Sequence, residues 1–285
     1  MRRSVQEIGD VMTPTYDLII KIAKVPFRVR CRCRETAEFL RPYMVEEGAV
    51  FTGEPAEDNE AARQAASLFT IAPAPDDLLR MADELDRTAE KEGRRGGAYS
   101  KAYLEQNAVH ALLAEQMVSQ GVLLMHGSAL SMDGRGYIFT AKSGTGKSTH
   151  ARLWREVFGE RVRMINDDKP MLRVQQGGVS VWGTPWDGKH HLSSNEGVPL
   201  AAIVQIRRAE ENHIEPMARA DAFPLLMQQT YASADPATGM KILALQRQIL
   251  EKTAFYTLDC NMDPEAALAA WEGLTGAPGI PGLSG

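Results

Sequence analysis

The chain has 285 residues, with 32 Lys plus Arg against 37 Asp plus Glu, a net charge of −5, 44% hydrophobic residues and three cysteines. This length allows one large domain or two modest ones with a real core, and three cysteines are too few for a disulfide framework. The mildly acidic balance gives no overall reason to expect nucleic acid or an anionic membrane as a partner, so any phosphate site must be local. Because no apolar stretch approaches the roughly 20 residues of a membrane helix and no secretory signal is apparent, we expect a cytoplasmic protein.

The first 97 residues predict a smaller N-terminal α+β domain, a candidate for binding a substrate or partner. Residues 16–29 mix β-branched and aromatic side chains, which predicts a strand or a strand pair broken near Pro26. Apolar residues at helical spacing predict a helix over 76–92, and the glycines of residues 93–97 end it and predict a mobile linker. We therefore expect a domain boundary near residue 97.

Residues 98–275 predict a larger α/β domain. A helix is expected over 102–120, followed by a strand over 122–132, a tight turn at 133–136 and a second strand over 137–141. The later predicted elements, in chain order, are a helix at 148–158, a strand at 162–165, a hairpin of 171–175 and 179–182, a strand at 198–206, helices at 218–231 and 236–252, a strand at 254–258 and a helix at 263–274. The tail, residues 276–285, is expected to be disordered.

Residues 141–148, AKSGTGKS, match the pattern of a phosphate-binding loop, which we call the phosphate loop. Glycines let backbone N–H groups surround a β-phosphate, while Lys147 would reach the β- and γ-oxygens and Ser148 would ligate magnesium. The segment follows a predicted strand and opens a predicted helix, as this chemistry requires; the alternative is a glycine-rich surface turn. We predict an ATP site whose nucleotide-binding residues are Ser143, Gly144, Thr145, Gly146, Lys147, Ser148 and Thr149.

Asp167 and Asp168, which we call the acidic pair, follow the predicted strand at 162–165 and begin 20 residues after Lys147. Phosphoryl transfer needs one carboxylate to hold magnesium and often a second to orient or deprotonate the nucleophile. Two adjacent carboxylates repel each other unless a cation lies between them, which favours a metal site. The alternative is that one carboxylate caps a turn before Pro170.

A tight turn at 133–136 would place His126 opposite Ala141 or Ser143, at the mouth of the phosphate loop. A lone histidine on an apolar strand is more often a core residue. The register argument offsets that preference, so a core histidine and a histidine at the phosphate loop are about equally supported.

The turn at residues 177–178 would pair Asp168 with Asp187 and Asp167 with Gly188, which brings the segment TPWDGKHH beside the acidic pair. Lys189 could then neutralise charge on a transferred phosphoryl group, and Asp187 could hold a second cation or a substrate hydroxyl. The alternative is a polar loop packed by its tryptophans.

Arg207 and Arg208 follow the predicted strand at 198–206. They could bind a phosphorylated or carboxylated substrate, although a charged strand end is the commoner explanation.

Four segments of the chain resemble known proteins: HGSAL from His126, AKSGTGKSTHARLWREVFGERV from Ala141, NDDKP from Asn166 and GTPWDGKHHLS from Gly183. All four are similar to HPr-kinase-like proteins of bacteria. Within the first three, His126-Gly127, residues 143–148 and Asp167-Asp168 also resemble the HPr kinase/phosphorylase family and its relative, phosphoenolpyruvate carboxykinase. The resemblance implies a P-loop kinase core with a mixed sheet in residues 98–275.

The resemblance also implies roles for individual residues. His126 would lie near the transferred phosphate, Lys147 and Ser148 would bind phosphate and magnesium, Asp167 would be the general base and Asp168 its metal-binding neighbour. The Arg-Gly-Leu-Gly type segment of HPr kinases is replaced here by residues 183–189. HPr as the substrate and a reverse phosphorylase reaction are therefore not implied.

These observations predict an ATP- and Mg²⁺-dependent kinase that transfers the γ-phosphoryl group to a hydroxyl, with a serine of a peptide or small protein as the first choice of acceptor. The expected catalytic residues are Asp167, His126, Lys147 and Lys189, and the expected metal ligands are Ser148, Asp168 and Asp187. Two alternatives stay open: a small-molecule kinase or carboxykinase-like enzyme, and a nucleotide-gated binding module without transfer chemistry. No nucleic acid or membrane partner is expected, and formation of a homo-oligomer stays open.

Overall fold

A computed structural model of the chain describes residues 15–45, 51–52, 69–91 and 93–276. Its contacts divide the chain into two units, Met1–Leu113 and Ala114–Gly285. The domain boundary predicted near residue 97 lies 16 residues before this division and stays a prediction. Residues 277–285 of the predicted disordered tail lie outside the described residues.

The first unit contains a four-stranded sheet in the order β3–β1–β2–β4. Its strands are Tyr16–Ile22 (β1), Val25–Cys31 (β2), Phe51–Thr52 (β3) and Thr70–Ile71 (β4). β1 and β2 form the predicted strand pair, but the break lies at Ala23 and Lys24 rather than near Pro26. Both residues have positive φ angles, +50° and +61°, as a two-residue hairpin turn requires. Pro26 lies inside β2 instead, with its side chain exposed.

The α-helices in the described part of this region are Arg34–Leu40 (α1), Pro75–Lys91 (α2) and Lys101–Val118 (α3), and α3 contains the division between the units. The Glu105 carboxylate is buried and accepts hydrogen bonds from the backbone N–H groups of Arg32, at 2.7 Å, and Cys33, at 3.0 Å. It thereby satisfies backbone N–H donors just before α1 begins.

Burial, reinforced by Glu105, raises the pKa of Cys31 to about 12 and that of Cys33 to about 11, so both stay protonated thiols at neutral pH. None of the helices described here combines the length and apolar character that crossing a membrane requires.

The second unit is built on a nine-stranded mixed sheet, so the fold is mixed α/β as predicted. Its strands are Val122–Leu124 (β5), Ser128–Met132 (β6), Arg135–Thr140 (β7), Val162–Asn166 (β8), Met171–Gln175 (β9), Gly178–Trp182 (β10), Gly197–Arg208 (β11), His213–Pro216 (β12) and Ala254–Cys260 (β13). The order is β5–β9–β10–β11–β7–β6–β8, with β13 on β11 and β12 on β13. The helices are Lys147–Phe158 (α4), Arg219–Gln229 (α5), Pro236–Lys252 (α6) and Glu265–Thr275 (α7).

The direction of three strands positions the site. β6 is antiparallel to both β7 and β8, so β7 and β8 run in the same direction on either side of it. The carboxyl ends of β7 and β8 therefore meet at one edge of the sheet, where β6 begins. The turn between β6 and β7 is the predicted tight one, because Asp133 and Gly134 both have positive φ angles and Met132 pairs with Arg135.

Two apolar cores cover the two faces of this sheet. Along β7, Tyr137 and Phe139 belong to one core and Ile138 to the other, as the alternation of a strand dictates. The first core surrounds Trp154 of α4, which is fully buried and has four aromatic rings within 5.3 to 6.1 Å of its own: Tyr137, Phe139, Phe158 and Trp271. The phosphate-loop helix α4 is thus anchored to the sheet by aromatic packing.

Two sequence-based expectations about strands are wrong. Residues 122–132 form two strands, β5 and β6, because the backbone N–H groups of Met125, His126 and Gly127 donate to other segments, at Pro170, Gln229 and Asp168. In the β9–β10 hairpin, Gln175 pairs with Gly178 and Met171 with Trp182, two residues away from the expected register. The predicted strand pairing of Asp168 with Asp187 is therefore absent. Strand β12 was not predicted, since its short polar sequence lacks the alternation that marks a strand.

The buried His150 should weaken the fold in acid. Burial lowers its pKa to about 3, below the value of about 6.5 for an unfolded chain. Between these values the unfolded chain binds a proton that the folded chain does not, so stability falls as the pH falls. His150→Gln keeps an acceptor for the Trp154 N–H, which lies 3.0 Å from Nε2, and removes the titration. Urea unfolding at pH 7 and pH 5 should show that the wild type loses about 2 kcal/mol more than the variant.

The control is His213→Gln, which removes an exposed histidine from the same unit. This variant should lose as much stability between pH 7 and pH 5 as the wild type does. Equal losses of stability in the wild type and His150→Gln would show that His150 does not stay neutral in the folded chain.

Candidate active site

The phosphate loop connects β7 to α4, which is the strand–loop–helix context that the sequence predicted. Gly144 and Gly146 have φ angles of +77° and +127°, a backbone conformation that favours glycine. Two hydrogen bonds shape the turn: Thr145 N–H donates to the Lys142 carbonyl at 3.2 Å, and His150 N–H donates to the Gly146 carbonyl at 2.9 Å. Binding of a nucleotide by the residues of this loop, including Ser143, Ser148 and Thr149, stays a prediction.

Lys147 is the buried cation of the loop. Its Nζ donates to the carbonyls of Ala141, at 3.2 Å, and Lys142, at 3.5 Å, so the ammonium group lies at the start of the loop. Burial lowers the pKa of Lys147, whereas the negative charges of Asp168 and Asp167 oppose that shift. The lysine and the acidic pair therefore share one electrostatic environment, although they are 20 residues apart in sequence.

Asp167 is buried at the carboxyl end of β8. The hydroxyl of Ser128, the first residue of β6, donates to its Oδ1 at 2.5 Å, and Ser128 itself is fully buried. This short bond between a hydroxyl and a carboxylate fixes the orientation of the Asp167 side chain.

Asp168 is more exposed than Asp167 and lies among charged groups. Its Oδ1 is 3.4 Å from His126 Nε2 and 3.8 Å from Lys169 Nζ. Burial raises the pKa of Asp168, and the negative charges of Asp167 and Asp187 raise it further. The positive charges of Lys169 and Lys147 oppose this shift. Four charged side chains thus act on this one carboxyl group: its sequence neighbours Asp167 and Lys169, and the distant Lys147 and Asp187.

His126 is at the same edge, as predicted. Burial, together with the positive charges of Lys169 and Lys147, lowers the pKa of His126 to about 3, although a hydrogen bond with Gln229 opposes the shift. The imidazole is therefore neutral near pH 7, and its contact with Asp168 is not an ion pair there. His126 can exchange hydrogen bonds with a substrate but is not a source of positive charge.

Asn166 builds the turn that presents the acidic pair. It is fully buried, and its Oδ1 accepts from the backbone N–H groups of Asp168, at 2.9 Å, and Lys169, at 2.6 Å. Its Nδ2 donates to the carbonyl and hydroxyl oxygens of Thr184, at 2.9 and 3.2 Å. Because Asn166 caps this turn, the two carboxylates are available for other partners.

The segment from Gly183 to Glu196, which we call the 183–196 loop, packs against the acidic pair. A Cβ atom on Gly188 would lie 3.2 Å from Asp168 Cβ and 3.8 Å from the Asp167 carbonyl oxygen, so the backbone of the loop is close to both residues. The prediction that this segment lies beside the acidic pair is confirmed. Contacts of the loop, rather than the register of the hairpin strands, bring it there.

Within the 183–196 loop, Asp187 is buried. Its Oδ2 accepts a hydrogen bond from Ser193 Oγ at 2.9 Å, and its Oδ1 lies 3.2 Å from His191 Nδ1. Lys189 is exposed, and the structure shows no hydrogen bond or ion pair between it and any residue in the described part of the chain. The structure therefore brings His126, Lys147, Asp167, Asp168 and Asp187 together and leaves Lys189 at the surface. Among the residues described, no group of three His, Cys, Asp or Glu side chains is arranged to hold a metal ion.

Sequence reasoning did not single out several residues that support the site. Ser128 and Asn166 lie inside the motifs HGSAL and NDDKP, so their position beside the acidic pair was the available signal. Thr140 donates to the His126 carbonyl, at 2.9 Å, and to Gln229 Oε1, at 3.1 Å. Gln229 ends α5 and is about 100 residues from His126, and nothing local in the sequence indicated its role.

Comparisons with known proteins add little to this geometry. No family model matches the chain, and no curated protein matches it. Among solved structures, part of the chain is similar to the HPr(Ser) kinase/phosphatase from Coxiella burnetii, with a TM-score of 0.26 and 11% sequence identity. The similarity covers 44% of this chain and 93% of that one. A structural similarity this remote does not establish a family, so membership of the HPr kinase/phosphorylase family stays a prediction from the motifs.

Replacing Asn166 by aspartate should destabilise the second unit by about 3 kcal/mol at pH 7. The variant keeps the shape of the side chain, loses both N–H bonds to Thr184 and adds a buried negative charge beside the acidic pair. Urea unfolding at pH 7 measures the loss.

Asn212→Asp is the matched control, because Asn212 uses its Oδ1 to accept from the Asn261 N–H, and aspartate can do the same. It should change stability by well under 1 kcal/mol. If Asn166→Asp proved as stable as this control, the Asn166 Nδ2 hydrogen bonds to Thr184 would not contribute to stability.

Proposed function

We propose that the chain is an ATP- and Mg²⁺-dependent kinase that transfers the γ-phosphoryl group of ATP to a hydroxyl group. The observation that carries this proposal is the meeting of the phosphate loop and the acidic pair at one edge of the sheet, with Ser128 holding Asp167 between them. A loop that binds phosphates and a carboxylate that receives a proton are the two parts that such a transfer needs.

The nucleotide would bind to the phosphate loop. The N-terminus of α4 provides backbone N–H groups and the positive end of the helix dipole, both of which favour an anion. Lys147 would exchange its hydrogen bonds with the Ala141 and Lys142 carbonyls for phosphate oxygens. Because burial disfavours its charge, Lys147 would gain from an anionic partner.

The residues at the edge fit a magnesium ion. Asp167 and Asp187 both reinforce the raised pKa of Asp168, and a divalent cation would relieve the repulsion among these three carboxylates. Hydroxyl and carboxylate oxygens are the ligands that Mg²⁺ prefers, and one or two of them suffice when substrate phosphates complete the coordination. Ser148 and Asp168 would hold the ion, which would neutralise phosphate charge. Asp187 as a third ligand stays a prediction, since both of its oxygens already have partners.

Asp167 would accept the proton of the acceptor hydroxyl as the phosphoryl group is transferred. Its Oδ1 is held by Ser128, so a substrate hydroxyl would approach Oδ2. His126 would exchange its contact with Asp168 for a hydrogen bond from the ring N–H to an oxygen of the transferred group. Lys189 as a charge-stabilising residue stays a prediction, because it lies exposed in the 183–196 loop.

The proposed acceptor is a serine of a peptide or small protein. This choice rests on the three motifs that resemble HPr kinases, which lie at His126, in the phosphate loop and at the acidic pair. The departure at residues 183–189 argues against HPr itself. A small-molecule kinase would share the same nucleotide chemistry and would differ in the acceptor alone.

Asp167→Asn should lower kinase turnover at least about 100-fold, because general-base catalysis contributes roughly that factor or more, and should leave ATP binding in place. The measurement is mass spectrometry of cell peptides and metabolites after incubation with enzyme, Mg²⁺ and isotopically labelled ATP, combined with calorimetry of ATP binding.

Asp133→Asn, which alters an exposed carboxylate paired with Arg161 in the same unit, should keep the turnover of the wild type. A variant Asp167→Asn that binds ATP and labels the same products at the wild-type rate would exclude Asp167 as the base. Absence of any labelled product with the wild-type chain, despite ATP binding, would instead favour a nucleotide-gated binding module.

A further inference from the structure

Arg208, the last residue of β11, contacts the phosphate loop. β11 is parallel to β7 with Gln205 opposite Thr140, so Arg208, three residues further along, lies level with the start of the loop. Its Nε donates to the Thr145 carbonyl at 3.0 Å, and its Nη2 donates to the Gly144 carbonyl. One guanidinium group thus binds two successive carbonyl oxygens of the loop.

Arg207 has a different partner. It pairs with Asp259 on the neighbouring strand β13, through two hydrogen bonds of 2.7 and 2.8 Å. Successive residues of a strand project to opposite faces, which explains why two adjacent arginines have separate partners. The alternative interpretation of a charged strand end holds for Arg207, whereas Arg208 is tied to the candidate site.

We infer that Arg208 is a positioning residue that fixes the phosphate loop in the conformation that binds nucleotide, an inference that rests on the proposed function. In a trans peptide the C=O and the following N–H point in opposite directions. Binding the carbonyls of Gly144 and Thr145 therefore fixes the orientation of the N–H groups of Thr145 and Gly146. Thr145 N–H donates back to Lys142. Gly146 directly precedes Lys147 in the sequence, so its N–H belongs to the part of the loop where the phosphates would bind.

Glycine makes such an external hold useful. Gly144 and Gly146 give the loop a conformation that other residues rarely adopt, but glycine also loses the most conformational entropy when it is ordered. If a guanidinium group already restrains the loop before the nucleotide binds, less conformational entropy is lost on binding, and the affinity is higher. The planar fork of Arg suits two neighbouring oxygens, whereas the ammonium group of Lys is a point charge on a flexible stem.

The test compares Arg208→Met, Arg208→Lys and the control Arg207→Met, using calorimetry of MgATP and MgADP binding. Arg208→Met should weaken the binding of both nucleotides about tenfold, as expected for lost hydrogen bonds from a charged group. Arg208→Lys should weaken it less, and Arg207→Met should bind like the wild type. The melting temperature of Arg208→Met without nucleotide should stay within a few degrees of the wild-type value, because the residue is exposed and restrains only one loop.

Two results with a folded Arg208→Met variant would overturn the inference. Arg208→Met with the wild-type affinity for both nucleotides would show that the loop needs no such restraint. Loss of MgATP affinity with unchanged MgADP affinity would show that Arg208 contacts the γ-phosphate directly instead of positioning the loop. If Arg208→Met failed to fold, the comparison of Arg208→Lys with the wild type would decide. A wild-type chain that binds neither nucleotide would overturn the proposed function as well, whereas normal wild-type binding with unaffected variants would overturn the inference alone.

Discussion

The antiparallel pairing of β6 with both β7 and β8 is the constraint on which the candidate site depends. It makes β7 and β8 run in the same direction, so the loop after one strand and the carboxylates after the other must come to the same edge. It also places Ser128, the first residue of β6, between them, where its hydroxyl reaches Asp167. Aromatic packing around Trp154 then holds α4, and with it Lys147, against this edge.

The electrostatics of the edge follow from that convergence. Lys147, Lys169 and three carboxylates come from three segments of the sequence, and their charges act on the pKa values of Lys147 and Asp168. His126 responds to the same surroundings by staying neutral, since burial and two nearby lysines both disfavour its protonated form. The lysines that disfavour a protonated histidine would favour an anion at this edge. The three neighbouring carboxylates would favour a metal ion beside it.

Much of this arrangement could be predicted from the sequence, because local patterns govern it. The glycine-rich loop between a strand and a helix, the tight Asp133-Gly134 turn and the helix Pro236–Lys252 each depend on nearby residues. Errors arose where distant contacts decide the backbone: residues 125–127 leave the strand because their N–H groups have partners elsewhere, and the β9–β10 register was misjudged by two residues. Gln229 could not be recognised, and Arg208 was noted only as a possible substrate-binding residue, since only the fold brings Gln229 to His126 and Arg208 to the phosphate loop.

The break between β5 and β6 at residues 125–127 also determines when, during synthesis of the chain, the candidate site can form. Its three N–H groups bind carbonyls at Pro170, Asp168 and Gln229, which follow it by roughly 40 to 100 residues. During synthesis these acceptors emerge from the ribosome one after another, and the last of them belongs to the end of α5. The edge that gathers the phosphate loop and the acidic pair therefore cannot be completed until the chain has been made beyond residue 229, so a nascent chain has the motif long before it has the site.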